Sequence, residues 1–473
     1  MAKNPQEPAD IVDVVIMAAG KGTRMKSSLP KVLHALAGRP LVSHVIGTAM
    51  RLAARKIVVV TGHGATDVEH ALSAAMPEAP LEFARQVPQL GTGHAVQQAQ
   101  AHLDDDATVV VLSGDVPLIG EETLRALVTA SAGRRLALLT IELDNPTGYG
   151  RIVRDADDGV LAIVEQKDAS AEQRAIREVY SGVMAVPARL LKPWLARLDN
   201  RNAQGEYYLT DIVRSATVDG EAVVAHKIDD AMQVAGVNDP LQLAQLERTF
   251  QRRQADALLV QGVRLADPAR FDLRGTLVCE ADVEIDVNCV FVGAVSLGAG
   301  TRVGANCVIA NARIETGATI APFTHIDGED AGVTVGPSAV VGPFARLRPG
   351  ARLGAEVHIG NFVEIKNATL GDGAKANHLA YIGDASVGAR VNYGAGSITA
   401  NYDGANKHRT VIGDDVHVGS NCVLVAPLTV GAGGTVGGGS TINKSTEPGV
   451  LTVARARQVS YANWARPAKQ KKP

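Results

Sequence analysis

The sequence lacks any apolar run that approaches the ~18 residues a membrane helix needs, so we expect no membrane insertion. Its first ten residues, MAKNPQEPAD, are polar and contain no apolar stretch typical of a secretory signal, which favours a cytoplasmic protein. Charge of one sign is also missing, since 47 Lys and Arg face 50 Asp and Glu for a formal net charge of −3. This balance argues against nucleic acid as a partner.

Cysteines and aromatic residues are scarce. None of the four cysteines belongs to a C-x-x-C pair, so we expect small buried side chains rather than disulfides or metal ligands: Cys279, Cys289, Cys307 and Cys422. Aromatic residues make up only 4% of the chain, whereas glycine occurs 48 times. A chain of this composition packs small and aliphatic residues regularly, and its 473 residues favour two or more domains.

Residues 1–240 alternate short aliphatic runs with amphipathic segments. The runs are VVIM at 14–17, KIVVV at 56–60, TVVVLSG at 108–114 and LALLTIEL at 136–143. This alternation predicts a mostly parallel sheet covered on both faces, with ligands bound at the carboxyl ends of its strands. Residues 241–261 then place apolar side chains at helical spacing among many charges, which predicts an amphipathic linker helix.

Residues 262–473 contain a six-residue repeat. Bulky aliphatic or aromatic residues recur every sixth position in three registers: Ile285, Phe291, Leu297, Val303 and Ile309; Val335, Val341, Leu347, Leu353, Ile359 and Ile365; Ile412, Val418, Leu424, Val430, Val436 and Ile442. Neither a helix nor a simple strand has this period, so the pattern predicts a parallel β-helix of hexapeptide repeats. The segment NYDGANKHRT at 401–410 interrupts the repeat and should form an external loop.

The first strand is followed by a glycine loop, AAGKGTRMKSSLPK. Gly20 and Gly22 let the backbone approach phosphate, and Lys21, Arg24 and Lys31 add positive charge. The pattern is neither a P-loop nor a dinucleotide fingerprint. By itself it indicates an anion-binding loop, and an ordinary strand–turn–helix with solvated basic residues remains the alternative.

The full motif A-A-G-x-G-T-R-M followed by L-P-K resembles the sugar-1-phosphate nucleotidylyltransferases. Together with QLGTGHA at 89–95, SGDVPL at 113–118, VEQKDA at 164–169, QGEYYLTD at 204–211 and the repeats, it resembles the bacterial bifunctional N-acetylglucosamine-1-phosphate uridyltransferase/glucosamine-1-phosphate acetyltransferase family. The resemblance implies an α/β Rossmann-like nucleotidyltransferase domain followed by a left-handed parallel β-helix of hexapeptide repeats. It also implies a homotrimer whose acetyl-transfer sites are shared between subunits.

The implied chemistry starts from glucosamine-1-phosphate and acetyl-CoA as the co-substrate, and gives N-acetylglucosamine-1-phosphate. Uridylyl transfer from UTP then yields UDP-N-acetylglucosamine and pyrophosphate. By the same resemblance, Lys31 and Arg24 are catalytic on the phosphates, and Asp115 and Asn238 hold Mg²⁺. The implied UTP and UDP-sugar contacts are Met17, Ala18, Ala19, Gly20, Lys31, Gln86, Gly91, Thr92, Ser113, Gly114, Asp115, Gly150, Glu165 and Asn238.

One position departs from the family pattern. The segment EVYSGVMA has Tyr180 where relatives usually place an asparagine that contacts the sugar. A phenol can reach the same sugar hydroxyl, or the contact can be lost, and the sequence leaves both open.

Acetyl transfer to an amine needs a base near neutral pH, for which histidine is suited. His378 lies where the bulky register slips between Leu370 and Ile382, so we expect it not to point inward. A surface or structural histidine is the ordinary alternative, and we assign no role to His94, His358 or His417. The segments NHLAY, VNYGAG and NYDGANK resemble the acetyltransferase half of the family, which implies that His378 is the general base.

The remaining acetyltransferase residues also come from the resemblance. The substrate contacts are Arg348, Lys366, Tyr381, Asn392 and Lys407. The acetyl-CoA contacts are Ala395, Asn401, Tyr402, Ser420, Gly438 and Arg455, and the resemblance implies that Asn401 and Tyr402 also orient the amine. Two other hypotheses stay open at this stage. One is a single-activity sugar-1-phosphate nucleotidylyltransferase with a regulatory or assembly β-helix, and the other treats the β-helix as a non-enzymatic scaffold.

Overall fold

The computed structural model describes residues 11–469, which form two compact units. The first unit ends at Phe250 and the second begins at Gln251. This boundary lies within the helix Pro240–Val260, in the stretch where the sequence predicts a linker helix. Within the described range, no helix combines the length and the hydropathy required to cross a membrane.

The first unit is built around a nine-stranded sheet. Its α-helices, with the boundary helix, are α1 Leu41–Arg51, α2 Ala65–Ala75, α3 Thr92–Ala99, α4 Glu121–Ser131, α5 Ala171–Arg174, α6 Ala188–Ala196, α7 Ile212–Val218 and α8 Pro240–Val260. Its strands are β1 Val12–Ala18, β2 Ala35–Leu36, β3 Arg39–Pro40, β4 Lys56–Thr61, β5 Leu81–Arg85, β6 Thr108–Ser113, β7 Leu136–Glu142, β8 Arg151–Arg154, β9 Val160–Val164, β10 Glu178–Pro187 and β11 Val223–Ile228. Short 3-10 helices span Thr23–Met25, Lys31–Leu33, Gln100–His102, Leu209–Asp211 and Ala231–Gln233, and one in the second unit spans Pro268–Arg270.

The main path of the sheet runs β11-β7-β10-β6-β1-β4-β5. Strands β6, β1, β4 and β5 are parallel neighbours, whereas β10 is antiparallel to both β6 and β7. Successive residues of β1 alternate between two apolar cores, with Val14 and Ile16 on one face and Val15 on the other. The predicted mostly parallel sheet with both faces covered is therefore confirmed, and the loops after β1, β4, β5 and β6 meet at one edge.

The second unit consists of short strands joined by tight corners. They are β12 Arg264–Leu265, β13 Phe271–Cys279, β14 Glu284–Ile285, β15 Cys289–Leu297, β16 Arg302–Val303, β17 Val308–Ile314, β18 Thr319–Ile320, β19 His325–Asp327, β20 Val333–Val335, β21 Val340–Val341, β22 Arg346–Leu347, β23 Arg352–Leu353, β24 His358–Asn361, β25 Glu364–Lys366, β26 Thr369–Leu370, β27 Lys375–His378, β28 Tyr381–Gly383, β29 Ala385–Val387, β30 Asn392–Tyr393, β31 Ile398–Ala400, β32 Thr410–Ile412, β33 His417–Val418, β34 Val423–Val425, β35 Leu428–Val430, β36 Thr435–Val436, β37 Thr441–Ile442 and β38 Leu451–Thr452.

These strands pair in parallel with the coil before and the coil after, as in the run β12-β14-β16-β18-β21-β24-β27-β30-β33-β36-β38. All the predicted inward residues of the three registers are buried and belong to one continuous core. The parallel β-helix is therefore confirmed. Residues 401–409 leave it as an external loop between β31 and β32, as predicted.

The predicted register slip between Leu370 and Ile382 is wrong. Ala376 is fully buried at the inward position midway between them, and it pairs with Ile359 one coil earlier. The pattern was missed because only bulky side chains were counted, whereas here a methyl group fills the position. Shorter, five-residue steps lie instead from Ile365 to Leu370 and from Ile382 to Val387, all of them buried inward residues.

The small Ala376 side chain makes room for a large neighbour. Tyr393 stacks on Ala376 in the next coil, and Val418 stacks on Tyr393 in the coil after that. The Tyr393 ring is 2% exposed, and in the part of the chain that the structure describes its hydroxyl has no hydrogen-bond partner. Burial raises the pKa of Tyr393, so the hydroxyl stays protonated. Cys289, Cys307 and Cys422 are buried free thiols, as predicted for small apolar side chains, and Cys279 is a half-buried free thiol.

Replacing Tyr393 with Phe tests this packing. Since the change removes a buried hydroxyl without a partner and keeps the ring, we expect the free energy of unfolding to stay the same or rise by about 1 kcal/mol. Urea unfolding, followed by a signal from the β-helix, measures this free energy. Ala376→Leu is the matched control and should cost about 1–3 kcal/mol by overpacking. Loss of stability in Tyr393→Phe would show that the hydroxyl is bonded.

Candidate active sites

A cavity of about 290 Å³ opens at the carboxyl ends of β5, β4, β1 and β6. The glycine loop leaves β1 there, Gln86 directly follows β5, and Asp115 lies two residues after β6. Ten residues of the cavity wall were predicted as nucleotide contacts: Met17, Ala18, Ala19, Gly20, Lys31, Gln86, Gly91, Thr92, Ser113 and Asp115. The wall also contains Gln89 and Glu206, which the sequence analysis did not single out.

Gly22 allows the loop to return close to Lys31. Its φ of 58° lies in the left-handed region, and a Cβ at this position would stand 2.6 Å from the Lys31 Cβ. A side chain at Gly22 would therefore displace the backbone that carries Lys31. Ala19 and Gly20 of this loop thus line the cavity, and Gly22 allows Lys31 to reach its position.

Lys31 donates hydrogen bonds to the side chains of both Asp115 and Asn238. Its Nζ donates to Asp115 Oδ2 at 2.5 Å and to Asn238 Oδ1 at 3.4 Å. Arg24 Nη2 also donates to Asn238 Oδ1, at 2.8 Å. The backbone supports this meeting, because the Val237 amide donates to the Asp115 carbonyl at 2.9 Å. A carboxylate oxygen and an amide oxygen therefore converge at the mouth of the cavity, flanked by two cationic groups.

Gln86 is held in a fixed orientation at the other side. It is 3% exposed, and its Nε2 donates to the Gly91 carbonyl at 2.8 Å and contacts His94 Nδ1 at 3.2 Å. Gly91 has a φ of 106°, and a Cβ there would lie 2.7 Å from the Tyr207 carbonyl oxygen. Thr92, the first residue of α3, accepts a hydrogen bond from the Leu209 amide. These contacts build a rigid polar wall for a flat ligand.

Gly150 and Glu165 lie side by side in the β8–β9 region but do not line this cavity. A Cβ on Gly150 would be 3.5 Å from Glu165 Oε1, and Glu165 accepts a hydrogen bond from Thr210 at 3.0 Å. Glu165 borders a separate cavity of about 610 Å³ that Tyr208 and Asp211 also line. Burial raises the pKa of Glu165, and the Thr210 hydroxyl opposes that effect.

Tyr180 is buried rather than presented to a cavity. It is 8% exposed, and its amide donates to the Gly150 carbonyl at 2.9 Å. Its hydroxyl is enclosed and has no hydrogen-bond partner among residues 11–469. Burial, and next the charge of Glu165, raise the pKa of Tyr180. In this conformation the phenol packs in the apolar core with Ile163 and offers no exposed donor.

His378 lies at the exposed end of β27, two residues after the inward Ala376. Its Nδ1 is 2.9 Å from Asn361 Oδ1, one coil earlier in the same sheet. An amide oxygen can only accept, so the proton sits on Nδ1 and Nε2 is left as the basic nitrogen. The sequence analysis missed Asn361, although it stands one coil length before His378.

Positive groups gather on the neighbouring face. Arg348 Nη1 donates to Glu364 Oε1 at 2.9 Å, and Lys366 lies beside Lys407 of the external loop. The contact with Lys407, followed by burial and the charge of Arg348, lowers the pKa of Lys366. Tyr381 lies across Gly383, where a Cβ would stand 2.2 Å from the phenol oxygen. Four of the five predicted substrate contacts are thus placed on adjoining coils.

Asn392 is the exception among them. Its Nδ2 is 3.0 Å from His417 Nδ1, and its strand pairs with the Lys375 end of β27. Across the described residues, no hydrogen bond joins Asn392 to His378, Lys366 or Tyr381.

The predicted acetyl-CoA contacts stack at one corner of successive coils. The Asn421 amide donates to the Ala395 carbonyl, the Gly439 amide donates to the Ser420 carbonyl, and Arg455 Nη1 donates to the Gly438 carbonyl at 2.7 Å. A Cβ on Gly438 would come within 3.3 Å of the Ser420 oxygen, so a small residue suits the position. Asn401 is 9% exposed, whereas Tyr402 is 62% exposed at the start of the loop.

Comparison with known proteins covers nearly the whole chain. The MobA-like NTP transferase domain matches residues 14–183, and the GMPPB C-terminal domain matches residues 330–446. The bifunctional protein GlmU of Acidovorax ebreus (strain TPSY) is 70% identical over 98% of this chain and 99% of its own length. The bifunctional protein GlmU of Azoarcus sp. (strain BH72) is 57% identical over 97% of this chain and 100% of its own length.

The chain belongs to the GlmU family. It is a bifunctional transferase that makes UDP-N-acetylglucosamine by acetyl transfer and uridylyl transfer, as the sequence motifs predict. Its architecture is a Rossmann-like nucleotidyltransferase unit followed by a left-handed parallel β-helix. A solved UDP-glucose pyrophosphorylase complexed with UDP-glucose has a TM-score of 0.42 and 17% identity, over 51% of this chain and 99% of that chain, too weak a likeness to support any inference.

Tyr180 gives a test of the sugar side of this GlmU-family enzyme. Because its hydroxyl is enclosed and unpartnered, Tyr180→Phe should change KM for N-acetylglucosamine-1-phosphate by less than about twofold. Steady-state uridylyl transfer measures this. Tyr180→Ala is the comparison variant, because it opens a cavity in the apolar core that packs under β8 and β9 and should raise that KM markedly. A rise of roughly tenfold or more in Tyr180→Phe would mean that the phenol turns toward the sugar and bonds it.

Proposed function

We propose that the 290 Å³ cavity of the first unit binds UTP and carries out uridylyl transfer. The supporting observation is the convergence of Lys31, Asp115, Asn238 and Arg24 at its mouth. A phosphate oxygen of N-acetylglucosamine-1-phosphate attacks the α-phosphorus of UTP, a new P–O bond forms, and the bond to pyrophosphate breaks. The attacking oxygen is already ionised, so Lys31 and Arg24 act by neutralising charge and no general base is required.

Mg²⁺ fits this donor set. Asp115 Oδ2 and Asn238 Oδ1 are both within reach of one cation, because the Lys31 ammonium contacts both. Mg²⁺ typically takes one or two protein oxygens and completes its shell with water and phosphate. Accordingly, the described residues hold no cluster of three or more acidic, histidine or cysteine ligands. When bound, the ion supplies positive charge to the phosphates.

Selectivity is proposed to come from residues of the cavity wall and from the neighbouring β8–β9 region. Gln86 is oriented by Gly91 and can read one edge of a base, while Thr92 starts the helix beside it. Glu165 and Gly150 adjoin each other on the sugar side. We propose these residues as uracil and sugar contacts, respectively, and place the enzyme in the cytoplasm, where UTP and acetyl-CoA are available.

On the β-helix, His378 Nε2 is proposed as the base of acetyl transfer. Asn361 fixes the tautomer that leaves this nitrogen unprotonated. His378 takes a proton from the ammonium of glucosamine-1-phosphate, and the amine attacks the thioester carbonyl. The C–N bond forms and the C–S bond breaks, and the thiolate of coenzyme A leaves and takes up the second proton, which the nitrogen releases as it becomes the amide. Arg348, Lys366 and Lys407 supply the positive charge that holds the sugar phosphate.

Coenzyme A is proposed to lie along the corner formed by Ala395, Ser420 and Gly438, beside Arg455. Their backbone carbonyls are already paired, so the corner presents small residues with one cation at its end. Asn401 and Tyr402 stand at the start of the loop that borders it. Asn392 is proposed as a substrate contact that requires His417 to release its amide.

A homotrimer is proposed from an exposed apolar ridge on the β-helix. Four large apolar residues occupy left-handed corners on successive coils: Phe323, Phe344, Phe362 and Leu379. Their exposed fractions are between 48% and 61%, and the three rings stack with centroids 5.0 and 5.5 Å apart. Large apolar side chains are rarely left in water as a continuous ridge, and Leu379 directly follows His378. A neighbouring copy on this ridge would therefore border the acetyl-transfer site.

His378→Ala tests the assignment of the two activities. Since only the β-helix site loses its base, acetyl transfer should fall by roughly 10²–10⁴-fold and uridylyl transfer should be unchanged. Both are measured separately, with glucosamine-1-phosphate plus acetyl-CoA and with N-acetylglucosamine-1-phosphate plus UTP. His358→Ala is the matched control, because His358 is an exposed histidine one coil earlier in the same sheet. Unchanged acetylation in His378→Ala would favour a single-activity enzyme with an assembly β-helix.

Phe344→Lys tests the trimer. Because this charge would enter the middle of the ridge, we expect the native mass to fall from three chains toward one and acetyl transfer to fall with it. Light scattering coupled to gel filtration measures the mass. Val340→Lys, an exposed residue of the same coil away from the ridge, is the control and should stay a trimer. A monomeric wild-type chain with full acetyltransferase activity would contradict the proposal.

A further inference from the structure

A buried carboxylate lies beside the acetyl-transfer groups and is absent from the roles assigned above. Asp384 occupies the corner between β28 and β29, is 8% exposed, and has a left-handed φ of 48°. Its amide donates to the Lys366 carbonyl at 3.0 Å, so it is attached directly to the strand that carries one of the substrate-binding cations.

The carboxylate is held by amides rather than by a cation. Asn367 Nδ2 donates to Asp384 Oδ1 at 2.6 Å, and Asn401 Nδ2 donates to Asp384 Oδ2. Within residues 11–469, no lysine or arginine forms an ion pair with it. Burying a charged group is costly unless it is bonded, so a carboxylate kept here by two neutral amides calls for a specific role.

That role follows from the hydrogen bonds that a carboxylate and an amide can form. An ionised carboxylate only accepts hydrogen bonds, whereas an asparagine side chain has one donating and one accepting end. Asp384 therefore accepts a hydrogen bond from Nδ2 of Asn401. The Oδ1 of Asn401 then faces away from Asp384. An acceptor in that position suits the ammonium or amine of a sugar substrate.

Asn401 is also the first residue of the external loop. Its carbonyl accepts a hydrogen bond from the His408 amide at 2.8 Å, which closes the base of the loop. Within the loop, Asp403 accepts bonds from the Asn406 amide and from His408. Lys407 stands between these anchored residues and contacts Lys366. Fixing Asn401 thus fixes the starting point of the segment that delivers Lys407.

We infer that Asp384 is a positioning residue for acetyl transfer: its carboxylate holds Asn401 so that the amide oxygen faces the amine of glucosamine-1-phosphate, and so that Lys407 reaches the phosphate. This inference rests on the proposed function of the β-helix site. It assigns to Asp384 no contact with substrate.

Asp384→Asn is the direct test, because it keeps the size of the side chain and lets the 401 amide turn. We expect kcat/KM for glucosamine-1-phosphate to fall by at least about tenfold, and KM for acetyl-CoA, which Asn401 also flanks, to rise less than KM for glucosamine-1-phosphate. Uridylyl transfer should be unchanged. If Asp384 had only a structural role, the variant would instead change KM for both substrates to the same extent and lower the thermal stability.

Two further variants calibrate the result. Asp415→Asn is the matched control, since Asp415 is also an aspartate at a left-handed corner, but its carboxylate pairs with Arg390. It should leave acetyl transfer within about twofold of the wild type. Asn367→Ala removes one of the two amides and leaves the bond to Asn401, so kcat/KM should fall, but by less than in Asp384→Asn.

The failures are distinguishable. If His378→Ala keeps full acetylation, the proposed function of the site fails. If His378→Ala abolishes acetylation while Asp384→Asn retains wild-type kinetics, only the positioning role fails. Should Asp384→Asn not fold, Asn367→Ala decides, because wild-type kinetics in that variant would overturn the inference and a selective loss for glucosamine-1-phosphate would support it.

Discussion

The stacking of inward side chains from coil to coil is the constraint on which the β-helix and its site depend. Neighbouring strands lie about 4.8 Å apart, so a corner residue stands directly over its counterpart in the previous coil. Asn361 therefore meets His378, and Asp384 meets both Asn367 and Asn401. The polar groups of the proposed site lie at corners and outward positions, while the apolar rungs set which residues become neighbours.

In the first unit, a different constraint, the common edge of parallel strands, brings polar residues together. Its parallel strands finish at a common edge, so residues far apart in sequence, such as Lys31, Asp115 and Gln86, line one cavity. The glycine loop contributes by having no side chain at Gly22, since a side chain there would displace Lys31. In both units, a regular scaffold holds polar groups that would repel or be costly to bury without it.

The sequence predicts the rungs because large aliphatic residues repeat every sixth position, yet it fails where a small residue does the same work. Ala376 is inward although its size suggested a break, and its partner is the oversized Tyr393. Asn361 and Asp384 were missed because their partners are one coil away, at spacings that no short motif contains; counting one coil back from His378 would have found Asn361. For Tyr180, the motif shows a departure from relatives, but only packing reveals that its hydroxyl is enclosed.

We propose that one chain carries the two reactions at two sites, and that N-acetylglucosamine-1-phosphate leaves the β-helix site and binds at the site of the first unit. Complementation tests it most directly: Asp115→Ala and His378→Ala are each incubated with glucosamine-1-phosphate, acetyl-CoA, UTP and Mg²⁺, alone and as an equimolar mixture. The account predicts that neither variant alone forms UDP-N-acetylglucosamine at an appreciable rate and that the mixture does. A mixture as inactive as its components, or full activity in either variant alone, would contradict it.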